Sequence, residues 1–179
     1  MVVGTAAQQR NIQHVIQLTI GIAVVLNITA YVMAKTCPMQ QQNTQQQEPP
    51  FTPHPRVFAT VWPILYTLIA AGIAITANHF QTLSTPTSPP QHPTKRAWVI
   101  IVATLLMLQV ALNLAWVPTY SCANKPHAAL YILLAMLAIH ITTIVAATAF
   151  SHTLATLIAP YAAWLGFAVL LNTHTIPQA

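Results

Sequence analysis

The chain has 179 residues, 55% of them hydrophobic and only 4% charged, with a net charge of +5 and one acidic residue, Glu48. No soluble domain of this size carries so few charges, and a single carboxylate leaves neither a paired-acid site nor a Ser/His/Asp arrangement. The cations Arg10, Lys35, Arg56, Lys95, Arg96 and Lys125 sit near the ends of apolar stretches rather than in a stripe, so no nucleic-acid partner is expected.

Five apolar stretches occupy about residues 12–34, 57–77, 97–117, 128–150 and 153–171. At about 1.5 Å per residue each matches a hydrocarbon core about 30 Å thick. The stretches are continuously apolar and lack the in/out alternation of a membrane barrel. The predicted fold is therefore an all-α membrane protein, a five-transmembrane-helix bundle. It forms a single domain over 12–174, with an N-terminal stub at 1–11 and a tail at 175–179, and the lipid bilayer is its first partner. The opening stretch is too long for the apolar part of a cleaved signal, so no leader is expected.

The first connection, 35–56, has the polar low-complexity run Gln40–Gln47 at its middle and then changes into Pro49-Pro50-Phe51-Thr52-Pro53-His54-Pro55. The Gln run predicts a flexible tract. The prolines predict a stiff, extended path suited to lie over the bundle as a lid. In the second stretch Pro63 removes a backbone donor about two turns in and predicts a kink, as does Pro160 in the fifth. Trp62 and Tyr66 stand at i, i+4 there. The second connection, about 81–94, carries Pro86, Pro89, Pro90 and Pro93 and reads as a solvent-side linker.

On the third stretch Trp98 is placed to anchor the membrane interface, and Gln109, Asn113 and Trp116 share one face. An amide in hydrocarbon must be paired, so this face is expected to look into the bundle. Interhelical bonding is the favoured reading and the polar edge of a pocket the alternative. The third and fourth connections are short, which makes the last three helices antiparallel neighbours. Trp164 and Phe167 pair at i, i+3 on the fifth. Small residues at Ala70-Ala71-Gly72, Ala146-Ala147 and Ala162-xxx-Gly166 allow close helix approach, within the monomer or in a dimer.

Up-down threading puts Arg10, Lys95 and Arg96 at one end and Lys35, Arg56 and Lys125 at the other, a balance that leaves orientation open. It also puts both cysteines, Cys37 and Cys122, at one end, and two free thiols are favoured over a disulfide because spacing gives no Cα separation. The histidines within or near spans, His14, His79, His140 and His152, form no His-x3-His pair, and no metal site is expected.

Three blocks carry a resemblance. Pro49–Phe58 running into Val61-Trp62-Pro63-Ile64-Leu65-Tyr66, then Gln109–Pro118, then Pro160–Asn172, resemble in order the helix-2, helix-3 and helix-5 signatures of the TspO/translocator protein (tryptophan-rich sensory protein, peripheral-type benzodiazepine receptor) family. The resemblance implies a five-helix bundle, often a homodimer. It also implies a cavity, closed by the first loop, that takes porphyrins or sterols, with a haem-type ligand also in view. No cofactor is required and no enzymatic activity is expected. The implied ligand-binding residues are Phe58, Val61, Trp62, Asn113, Trp116, Trp164, Ala168 and Leu171, with Pro53 in the lid and Arg56 at the mouth.

The chain departs from that pattern at Phe51 and Arg56, where the family's lid carries tryptophans. Tyr131 stands where helix 4 usually has an Asp, and no sterol-recognition pattern follows Asn172. These departures motivate a second reading, an accessory structural subunit of a large respiratory membrane complex. A third is photo-oxidative porphyrin breakdown at Trp116 or Trp164. A mitochondrial membrane is favoured over a bacterial inner membrane.

Overall fold

The computed structural model describes residues 6–37, 50–84, 93–174 and 176. The expectations for the Gln40–Gln47 tract, most of the proline-rich second connection, the first residues of the stub and most of the C-terminal tail lie outside the described residues. Five α-helices follow in order: α1 (Ala6–Thr36), α2 (Pro55–Ser84), α3 (Pro93–Val117), α4 (Pro126–Thr148) and α5 (His152–His174). All are long and apolar enough to cross a membrane, and the protein is an integral multi-pass membrane protein.

The helices overrun the apolar stretches at most of their ends. Prolines set several starts: α2, α3 and α4 each begin on one, Pro55, Pro93 and Pro126. There the missing N–H would have had no intrahelical partner anyway. A π-helical turn, Pro118–Cys122, continues α3, and the Ala123 N–H closes it on the Pro118 carbonyl at 2.8 Å. The chain then passes through Asn124, at φ 50°, into α4. The third connection is thus short, as expected, but it is built as a widened last turn rather than a plain loop.

Neighbour relations give a ring in the order α1–α2–α5–α4–α3, with α2 also meeting α3 across it. The seam between α1 and α3 is the thinnest of the ring's contacts. Correspondingly, Ala23 is the one buried residue among those whose side chains are described in α1, while Ile12, Ile16, Ile20, Val24, Val25, Ile28 and Val32 face outward. In lipid such a face carries no penalty, since hydrocarbon is as apolar as the side chains. The core lies among α2 to α5: Leu65, Ile69, Val102, Leu106, Leu133, Met136, Leu154, Ile158, Tyr161 and Leu165.

Small residues matter at one place above all. A Cβ on Gly72 of α2 would sit 3.0 Å from Ile158 Cγ2 and 3.4 Å from Leu154 Cδ1 of α5, so the absence of a side chain sets how closely these helices meet. Gly166, by contrast, would give its Cβ no neighbour within 4 Å, and the Ala162-xxx-Gly166 pair is not a packing seam of this chain. His140, on α4, is fully buried and its Nε2 lies 2.9 Å from the Ile158 carbonyl of α5.

At the end where α1 and α3 finish, Cys37 and Cys122 form a disulfide, with Cα atoms 5.1 Å apart. This corrects the preference for two free thiols. Threading alone places both residues at one end, but only the close approach of the α1 terminus to the π-helical turn brings them within bridging reach.

Gly72→Val should cost about 1–3 kcal/mol through overpacking against Ile158 and Leu154. Gly166→Val should be close to neutral by the same measure. Thermal unfolding of the two variants in one detergent checks the contrast.

Candidate ligand-binding site

The polar groups inside the bundle converge on Asn113. It sits on α3 five residues before the π-helical turn and is 5% exposed. Its Oδ1 accepts from the Tyr66 hydroxyl of α2 at 2.9 Å, and its Nδ2 donates to the Tyr161 hydroxyl of α5 at 2.7 Å. One amide thus links three helices. Gln109, one turn earlier and 1% exposed, lies beside the Tyr161 hydroxyl but reaches no hydrogen bond of good geometry among the described residues. The expected polar face of α3 does look inward, and Asn113 acts as interhelical glue while Gln109 keeps its hydrogen-bonding capacity. Leu26, Tyr66, Ile69, Gln109, Val110, Asn113, Leu114 and Tyr161 enclose a cavity of about 10 Å³, roughly one water's worth of space.

Toward the disulfide end an aromatic cluster sits on top of this polar layer, with Trp62 at its centre. Its ring centroid lies 5.6 Å from Tyr66, 6.2 Å from Trp116, 6.4 Å from Tyr161 and 6.2 Å from Trp164. Phe58 meets Trp164 edge-on at 5.7 Å, Trp164 tilts against Phe167 at 5.5 Å, and Trp116 stacks on Tyr120 at 5.2 Å. Edge-on and offset contacts in this range are the favourable ones for aromatic quadrupoles. The indole N–H groups of Trp116 and Trp164 are buried and find no acceptor among the described residues.

The sequence-derived residues fall out as follows. Phe58, Trp62, Trp116 and Trp164 meet in this cluster, and Asn113 lies directly beneath it. Val61 and Ala168 pack at the edge of the core, half-buried, and Leu171 lies half-buried one turn beyond Ala168 on α5. Pro53 is half-buried in the segment that leads into α2, and Arg56 is exposed in the first turn of α2. That segment reaches the end of α5, where Phe51 meets His174 edge-on at 5.1 Å. Tyr66, Tyr161 and Tyr120, with Gln109 and Phe167, contribute to the site but are not among the residues that the family resemblance implies. The signal for the first two was present, since each places a phenol at mid-membrane depth, where its hydroxyl must find a partner.

Comparison with known proteins agrees with this architecture. The model of the TspO/MBR family matches residues 17–176, nearly the whole chain, and the protein belongs to that family. Among curated proteins no match is found.

Asn113→Leu should cost about 1–3 kcal/mol, because it leaves two buried hydroxyls unpaired. Adding Tyr66→Phe and Tyr161→Phe should recover most of that loss, since removing all partners together leaves nothing unsatisfied. Equilibrium unfolding in detergent of the single and triple variants is the measurement.

Proposed function

We propose that this protein binds a large, flat, mostly apolar molecule bearing carboxylates, of the porphyrin type, among the rings around Trp62. The observation that carries the reading is the cluster itself: four aromatic rings around one indole, over a layer of amides and phenols. Such a surface suits a planar ligand by area and by ring-on-ring contact. The Trp116 and Trp164 N–H groups and the Gln109 amide supply hydrogen-bonding capacity that the bundle does not consume.

The space under the cluster is about 10 Å³, whereas sites for such ligands occupy about 300–1,000 Å³. The conformation described is therefore a closed one, and binding must part the rings. The affinity observed is reduced by the fraction of molecules that are open. Tilting Trp62 and Trp164 apart would insert a planar ligand where those rings now meet edge-on. Arg56 and the lid segment stand at this end of the bundle, so a ligand carboxylate projecting outward would meet a guanidinium that forks to it. A neutral sterol would gain nothing from Arg56, which ranks it below an anionic ligand.

Titration of the purified protein with protoporphyrin, followed by tryptophan quenching, should give saturable binding. Trp164→Ala should weaken it at least about tenfold, a loss of about 1.4 kcal/mol. Arg56→Ala should weaken the free acid but leave the dimethyl ester unchanged. Non-saturable quenching, or equal affinities for wild type and Trp164→Ala, would refute the reading.

A further inference from the structure

Charge does not orient this bundle. Arg10, Lys95 and Arg96 lie toward one end and Lys35, Arg56 and Lys125 toward the other, and a balance of cations gives the positive-inside rule nothing to act on. Sulfur breaks the tie. Cys37 directly follows α1, Cys122 closes the π-helical turn after α3, and the two are bonded. Helices α2 and α4 start at this same end and α5 finishes there. It therefore also carries Phe58, Trp62, Trp116, Trp164, the lid segment and Arg56.

Two further facts give the bond a role. It is open to solvent-borne thiols, because Cys122 is exposed and Cys37 only half-buried, and exchange rates depend on such access. It also closes the weakest seam of the ring. Helices α1 and α3 touch least, yet Leu26 of α1 forms one wall of the cavity whose other walls include Val110, Asn113 and Leu114 of α3. A helix with a single buried residue among its described side chains is held there by little other than α2 and this bond.

We propose that the end of the bundle bearing the aromatic site faces a thiol-oxidising compartment, where the Cys37–Cys122 bond forms and staples the α1–α3 seam shut beside the site. Disulfides persist in such compartments and are reduced where glutathione and thioredoxin systems operate. The oxidant is a disulfide donor. One cysteine thiolate attacks it to give a mixed disulfide, and the second cysteine expels the remaining donor sulfur. The Cys37–Cys122 bond forms, two electrons pass to the donor, and the two thiol protons end on its reduced sulfurs. The N-terminus and the connection between α2 and α3 then lie on the opposite side. Reduction frees the end of α1 and lets the seam part, giving a lateral entrance from the bilayer to the site. That last consequence rests on the binding reading above; the compartment assignment does not.

The test uses the full chain in its own membrane. Acid-quenched samples alkylated with a mass-tagging maleimide should show no tag before reduction and a tag on each cysteine after it. Tags on the unreduced protein would overturn the proposal. In a Cys37→Ser, Cys122→Ser background, an impermeant maleimide should label His127→Cys from the oxidising side of sealed vesicles and Thr94→Cys from the other. The reverse pattern would also overturn it. Wild type treated with a reductant in detergent should load protoporphyrin several-fold faster than the oxidised protein, and equal rates would remove the staple. Absence of loading in both states would count against the binding reading alone, since the first two measurements use no ligand.

Discussion

The bridge from Tyr66 through Asn113 to Tyr161 is the interaction on which the rest of the structure depends. In water, burying apolar faces would hold five helices together; in lipid that drive is missing, and packing and hydrogen bonds must do it. Here a single amide satisfies a phenol from α2 and another from α5, so the three helices are held in mutual register at the depth where the aromatic cluster begins. Each partner would be costly alone in hydrocarbon. Together they are satisfied, and the alternative of separating the helices would leave three polar groups stranded.

The aromatic cluster inherits its geometry from that bridge. Tyr66 stacks beneath Trp62 from the same helix, one turn away, and Tyr161 meets Trp62 edge-on from α5. Fixing the two phenols therefore fixes the floor on which Trp62 rests. On the far half of the bundle, Gly72 against Ile158 and Leu154 sets the α2–α5 separation, and His140 ties α4 to the α5 turn near Pro160. The bundle is thus pinned by polar and close contacts along α5, while the disulfide end is filled by aromatic rings. Binding that parts rings is compatible with this division, because the pinned half need not move.

Much of this was legible in the chain. Length and near-absence of acid gave five spans, and the i, i+4, i+7 spacing of Gln109, Asn113 and Trp116 gave the inward face of α3. The Trp62–Tyr66 and Trp164–Phe167 spacings gave two of the ring contacts. What spacing cannot give is which helices are neighbours. Tyr161 stands 48 residues from Asn113, and nothing local says that α5 rather than α4 supplies the second phenol. The same gap hid the disulfide, whose partners are 85 residues apart and whose approach depends on the π-helical turn. Gly166 shows the converse: a small-xxx-small pattern was visible, but within this chain nothing lies where its Cβ would go, because a pattern records what a surface permits and not what meets it.

The separation of 85 residues between Cys37 and Cys122 also has a bearing on how the chain is assembled. A nascent membrane protein is threaded from its N-terminus, so Cys37 is delivered to its side of the bilayer with the first helix and waits there. Its partner arrives only after α2 has returned and α3 has crossed. The covalent link thus requires that α2 and α3 together bring the chain back to the side on which Cys37 waits. A chain whose second or third helix failed to insert would strand the two sulfurs on opposite sides of the membrane, where no oxidant can join them.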